Sequence, residues 1–268
     1  MNSDLSISAS GRDFYRKVLD TLDAASVDYL LGGAFALNAI TGVERDTKDF
    51  DLMLRPGDVS RAIEVCREVG FRADFAYSHW IAKVHFGEHF IDLIYRAGNG
   101  LCEVDDEWFA HARKAKVLGR KLRLSPPEEM IWQKSYVMER ERYDGADVMH
   151  LIRSSAATMD WDRLIARFGE DWRILLSYLI LFGFVYPAQR GDVPSSVIER
   201  LLARLREDTA GESQEGNFCR GTLLSRGQYL PDVERWGYLD ARSRERVKMT
   251  PEEILAWTTA IDQVNRLR

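Results

Sequence analysis

Asp49 and Asp51 stand two residues apart in the run Asp49-Phe50-Asp51-Leu52-Met53-Leu54, and this pair is where the chain first offers chemistry. In an extended strand, residues i and i+2 point to the same face. Both carboxylates therefore emerge side by side, while Phe50, Leu52 and Leu54 turn to the opposite face and reach a core. Two adjacent carboxylates repel unless a positive group lies between them. A divalent cation meets that need, and oxygen-only donors favour Mg²⁺ or Mn²⁺ over zinc. Upstream, Tyr29-Leu30-Leu31-Gly32-Gly33-Ala34-Phe35-Ala36-Leu37 reads as an apolar strand, a paired-glycine turn and a short apolar helix. Backbone N–H groups at the glycines and the helix start form an anion cradle. A cradle beside a carboxylate pair suits a nucleoside triphosphate with its metal. Each feature also has an ordinary structural meaning: a solvated strand and a simple turn.

A third acid, Asp92, interrupts the apolar run Phe90-Ile91-Asp92-Leu93-Ile94-Tyr95. A lone carboxylate in such a strand is costly without a partner. That partner is either a metal shared with Asp49 and Asp51 or a neighbouring Lys or Arg. Arg45 and Lys48 flank the first acids and offer charge to a triphosphate or simple balance to Asp46 and Asp49. Lys83, on the strand before Asp92, is a phosphate contact or a solvated lysine, and His79 lies near the same region. The histidines show no zinc-ligand spacing, because His85 and His89 are separated by an expected turn.

The order of strand, glycine pair, helix, D-x-D and later third acid resembles the nucleotidyltransferase superfamily. That superfamily includes DNA polymerase beta, the lincosamide and aminoglycoside nucleotidyltransferases and the AbiEii-type toxins. Gly32 and Gly33 match its glycine pair, Asp49 and Asp51 its D-x-D, and Asp92 its third carboxylate; Arg45-x-Thr47-x-Asp49-x-Asp51-Leu52 resembles the antibiotic-modifying and toxin-like branches. The likeness is specific over residues 27–95 and weak to about 153. It implies an α+β fold with a small mixed-sheet catalytic domain; the change of composition at Ser125-Pro126-Pro127-Glu128 bounds that domain at 1–124 and leaves an all-helical region over 125–268, a candidate for binding the acceptor. It also implies transfer of an NMP group from an NTP to a hydroxyl, with release of pyrophosphate. In that scheme Asp49, Asp51 and Asp92 bind Mg²⁺ or Mn²⁺, Gly32, Gly33, Arg45, Lys48 and Lys83 serve the triphosphate, and Asp92 takes the acceptor proton. The acceptor is a small hydroxylated molecule such as an antibiotic, or, in the toxin-like reading, an RNA such as a tRNA end. A non-catalytic nucleotide-binding module is the remaining alternative, and it leaves three converging acids without a purpose.

The elements around these residues follow from periodicity. A helix is expected over 12–25, strands over 27–31, 71–77, 80–86 and 90–95, and a helix over 59–69 stopped by Gly70. Gly87-Glu88 is the tight turn before the Asp92 strand. Asp105 caps a short helix, and a hairpin forms around Gly119-Arg120. Ser125-Pro126-Pro127-Glu128 reads as a capped helix start, followed by helices near 128–141, 144–154, 161–168, 172–184, 195–206 and 252–267. Lys134 on the first of these faces the nucleotide or is a plain surface lysine.

With 268 residues, 46% of them apolar, the chain can bury a core. Its net charge of -5 argues weakly against bulk nucleic-acid binding. Even so, residues 216–249 interleave Arg220, Arg226, Arg235, Arg242, Arg244 and Arg246 with aromatics. That pattern suits a nucleic-acid strand or, as the stronger reading, arginine stems packed on a helical core. Three widely spaced cysteines suggest no disulfide framework, and with no membrane-length apolar run the expectation is a cytoplasmic protein.

Overall fold

The structure is a computed structural model that describes residues 7–44, 49–211 and 216–266. The chain divides into two units, Met1–Pro126 and Pro127–Arg268.

In the first unit, helix α1 (Ala9–Ala24) begins three residues earlier than periodicity suggests, because the Ser8 hydroxyl accepts from the Gly11 N–H and caps it. Its apolar stripe, Phe14, Tyr15, Val18, Leu19 and Leu22, is buried. Strand β1 is only Leu30–Leu31, helix α2 runs Gly33–Thr41, and strand β2 is Phe50–Met53. Pro56 ends β2, since it can give no N–H to a ladder, and the chain turns through Pro56–Asp58 into α3 (Val59–Glu68). Strands β3 (Arg72–Tyr77), β4 (Ile81–Phe86) and β5 (His89–Ile94) form an antiparallel meander. After α4 (Asp106–Ala110), capped by Asp105, comes the hairpin β6 (Arg113–Val117) and β7 (Arg120–Leu124).

These strands make one mixed sheet in the order β3-β4-β5-β2-β1-β7-β6. Strand β2 lies antiparallel to β1 and parallel to β5, with Asp51 opposite Asp92. Phe50, Leu52 and Leu54 are fully buried on one face, where Tyr15 stacks on Phe50 at 4.6 Å and Phe35 meets it edge-on at 5.1 Å. Burial of each such side chain is worth about 1.5–3 kcal/mol. That is what holds the opposite, acid-bearing face of β2 in place.

The second unit is largely helical: α5 (Pro127–Lys134), α6 (Gly145–Ser155), α7 (Trp161–Phe168), α8 (Trp172–Val185), α9 (Ser195–Ala210), α10 (Leu230–Glu234) and α11 (Pro251–Arg266). A two-residue parallel pair, β8 (Phe218–Cys219) with β9 (Leu239–Asp240), is the exception to an all-helical region. The expected helix over 128–141 stops at Lys134. The following loop closes on itself instead, with a Met138–Tyr143 bridge and the Asp144 N–H bonded to the Val137 carbonyl. Nor do Ser125 and Glu128 form a capping box: the Ser125 hydroxyl has no partner among the described residues, and Glu128 accepts from the Asp160 N–H and pairs with Arg163. Thr250 and Glu253 do make the reciprocal box at the start of α11. Among the described residues, no helix is long and apolar enough to cross a membrane.

Candidate active site

The glycine turn and Asp51 of β2 meet at one point, and Asp49 stands just before that strand. Gly33 has φ +54, a left-handed conformation that L side chains adopt only with strain, and a Cβ built there would overlap the Asp51 carboxylate. Only glycine lets this acid lie against the turn. The Gly32 N–H donates to the Asp51 carbonyl at 2.9 Å, which fixes the same register from the backbone side. Asp51 is half-buried and Asp49 exposed, and alternation puts both on the face opposite Phe50 and Leu52.

Asp92 faces Asp51 directly across the parallel β2–β5 pair, so the two carboxylates share a face at neighbouring-strand distance. On its other side Asp92 faces Lys83, and Lys83 in turn faces Asp74 on β3. A row of charge therefore crosses the sheet as Asp74, Lys83, Asp92 and Asp51. Within it the Lys83 ammonium donates to Asp92 Oδ1 at 2.5 Å and lies 4.3 Å from the Phe90 ring centroid. Asp92 is 8% exposed. Burial pushes its carboxyl above the usual range; Lys83 opposes the shift and Asp49 adds to it.

Tyr15 is a member of this neighbourhood with no signature in the sequence. Its ring is buried on Phe50, and its hydroxyl is pushed up first by burial and then by Asp49 and Asp51. Arg45 and Lys48 lie outside the described residues. His79 is buried and bonds the Gly98 carbonyl at 3.0 Å, a structural role.

The donor chemistry of this face, oxygen only, fits Mg²⁺ or Mn²⁺, and the glycine turn leaves Asp51 the room a side chain would fill. Asp92, however, is already satisfied by Lys83. Among the described residues, no group of three or more His, Cys, Asp or Glu side chains is gathered so as to hold a metal ion. The expected three-acid cluster is thus a pair on β2 with a third acid in register beside it, held by a lysine.

In the second unit Lys134 does not stand as a surface group. It donates to Asp144 at 2.9 Å and to Asp147 at 2.8 Å, with side-chain exposures of 13%, 9% and 4%. Burial raises the Asp144 carboxyl, but Lys134 and Arg142 outweigh it and hold the group below its usual range. A depressed carboxylate contributes stability that is present above its unfolded pKa of about 3.9 and lost as pH falls through the folded value. Lys134→Met should therefore cost about 3–5 kcal/mol at pH 7, the usual result of stranding buried charge. The deficit should shrink as pH falls below that unfolded value and the advantage of the depressed Asp144 carboxylate is lost; thermal melts at pH 7 and pH 3 measure both, and equal deficits would contradict the ion-pair account.

Five of the arginines of 216–249 also turn inward, while Arg235 is exposed. Arg220 and Arg246 pair with Glu170 and Asp171, Arg244 with Glu170, Arg226 with Glu139, and Arg242 with Asp240. These five pair with the chain's own acids, a feature that neither sequence reading, a nucleic-acid strand or stems packed on a helical core, names.

The sequence profile of a family described as uncharacterised nucleotidyltransferase matches residues 34–181, more than half of the chain. No curated protein matches. Among solved structures, the chain is similar at 16% identity to a lincomycin-bound lincosamide antibiotic adenylyltransferase LnuA, covering 54% of this chain and 96% of that one at a TM-score of 0.39. It is similar at 16% identity to ANT(2")-Ia in complex with adenylyl-2"-tobramycin, covering 75% and 99% at a TM-score of 0.37. A third match is an antigenic nucleotidyltransferase-like protein from Paracoccidioides brasiliensis, at 16% identity, covering 72% and 94% at a TM-score of 0.44.

Proposed function

Because the chain belongs to the family described as uncharacterised nucleotidyltransferases, we propose that it moves an NMP group from an NTP to an acceptor hydroxyl and releases pyrophosphate. The observation that carries this reading is the Asp51 carboxylate seated where a Gly33 side chain would stand, in register with Asp92. The turn at Gly32-Gly33 and the first N–H groups of α2 receive the triphosphate oxygens. Asp49 and Asp51 would hold Mg²⁺ or Mn²⁺ on the triphosphate side, and Asp92 the hydroxyl side. The bound cation neutralises phosphate charge and lowers the pKa of the attacking hydroxyl.

Asp92 accepts the proton from the acceptor hydroxyl. The oxygen bonds to the α-phosphorus, the bond from that phosphorus to the β-phosphate bridge breaks, and the electron pair leaves with pyrophosphate. Burial that raises the Asp92 carboxyl makes it a better base than an exposed aspartate. Lys83 holds Asp92 until the site is loaded, and Lys83, Arg45 and Lys48 are the cations available to the phosphates. The acidic net charge favours a small hydroxylated acceptor. An RNA acceptor is the second reading, favoured by the exposed Lys114, Lys116 and Lys121, which share one face of the β6–β7 hairpin.

Calorimetry with ATP and GTP, with and without Mg²⁺, and a pyrophosphate-release assay on Asp51→Asn test the proposal together. Binding that needs Mg²⁺ is expected, as is a folded variant by circular dichroism whose turnover falls by at least about 10²-fold, since removing one charge-stabilising group in a site has that size of effect. Absence of nucleotide binding under both conditions would leave the non-catalytic module. Full turnover in folded Asp51→Asn would move the chemistry elsewhere.

A further inference from the structure

We propose that the β6–β7 hairpin docks the phosphate backbone of a single RNA strand through Lys114, Lys116 and Lys121. Six of the eleven residues from 113 to 123 are Lys or Arg and none is acidic, in a chain whose net charge is -5. Arg120 is taken by Asp20 and Asp23, and Arg123 by Asp28. Lys114, Lys116 and Lys121 are exposed, and none has an ion pair or side-chain hydrogen bond among the described residues. They line an open groove of about 390 Å³ together with Ala115 and Gly119.

Register puts these three side chains on one face: Lys114 lies opposite Arg123, and Lys116 opposite Lys121. The same face carries the acids. Leu31 pairs with both Leu52 and Leu124, so Asp51 and Arg123, one residue from each, turn together to the other side. Strand β6 is three strands from β2, about 14 Å at the usual strand spacing.

Lysines on an edge strand also serve to block sheet-to-sheet pairing, and Lys114 and Lys116 on β6 would suffice for that. Lys121 sits on the inner strand β7, directly across from Lys116, where like charges destabilise the pair. A bound anion offsets that repulsion. Lys114 and Lys116 are two residues apart, about 6.7 Å along a strand, a spacing of the same size as that between consecutive phosphates of an extended chain. The three lysines span β6 and β7, about 4.8 Å across, the width of one phosphate row rather than of a duplex. The choice of RNA rests on the second acceptor reading above: such a strand carries phosphates for the lysines and hydroxyls for the site.

The test is fluorescence anisotropy of a labelled single-stranded RNA 20-mer, without nucleotide, across a salt series. Each phosphate contact on a single strand contributes about 0.7 to the slope of log affinity against log salt. Lys114→Gln/Lys116→Gln/Lys121→Gln should therefore lower the slope by about 2 and weaken binding at low salt, without lowering the melting temperature. The triple arginine variant should bind as the parent does. Arg72→Gln/Lys248→Gln, two exposed cations elsewhere, should change little. No RNA binding at low salt, an unchanged slope in the glutamine variant, an equal loss in the control pair, or equal binding of polyglutamate or a duplex would each overturn the proposal. A chain that binds RNA but no triphosphate keeps the dock and loses the transfer reading; one that binds triphosphate but no RNA does the reverse.

Discussion

Gly33→Ala is expected to fold and to lose transfer activity by at least about 10²-fold, the effect of displacing a reacting group by around an ångström. Two costs arise from one methyl group. The first is backbone strain, since φ +54 holds an L residue in the left-handed region at about 1–2 kcal/mol. The second is displacement, because the new Cβ occupies the space of the Asp51 carboxylate. Gly70 separates them: it has φ +90 with nothing within 4 Å of a built Cβ. Gly70→Ala should lose comparable stability and keep its turnover. If Gly33→Ala also keeps its turnover, the glycine does not seat Asp51 for catalysis; if Gly70→Ala loses activity too, the effect is general destabilisation.

The two halves of the Gly33–Asp51 contact were legible because each is local, whereas the close approach itself needed the fold. A D-x-D with apolar residues between and after it fixes the strand face by alternation, and a glycine pair before a short apolar helix marks the turn. Thr250-Pro251-Glu252-Glu253 carries the same spacing as Ser125-Pro126-Pro127-Glu128 and does close its capping box, whereas Ser125 shows the limit of such motifs. Its neighbour Glu128 matches the box by spacing, yet distant groups, the Asp160 N–H and Arg163, claim that carboxylate. Lys134 likewise ends its helix among acids ten and thirteen residues ahead. Tyr15 comes near the acids only because α1 packs its ring on Phe50, a tertiary contact that no local pattern encodes. The partner of Asp92 is an intermediate case. A two-residue turn at Gly87-Glu88 places Phe86 opposite His89, and counting back three pairs brings Lys83 to Asp92. The turn was readable, and the ion pair follows from it by arithmetic.

That pair supplies the sharpest separation of roles on the sheet. Asp92→Asn should keep triphosphate affinity, since Asp49, Asp51 and the glycine turn remain. Its single-turnover rate should fall by about 10²–10⁴, the usual worth of general-base assistance. Its stability should change little, because the Lys83 side chain is 28% exposed and its ammonium can turn to water. Lys83→Met is the asymmetric counterpart. It leaves the Asp92 side chain, 11% exposed, without its donor. An unsatisfied buried group of this kind costs about 1–3 kcal/mol. The double variant should recover most of that loss, and a double-mutant cycle on denaturant midpoints measures the coupling. ATP titrations on the same proteins then decide what else Lys83 does. If Lys83→Met loses stability but not ATP affinity, the lysine serves Asp92 alone. If it loses ATP affinity as well, the lysine leaves Asp92 for phosphate when the site is loaded, freeing the carboxylate for the acceptor proton. Normal turnover in folded Asp92→Asn would reduce the whole row to a structural ion pair and hand the proton to another group.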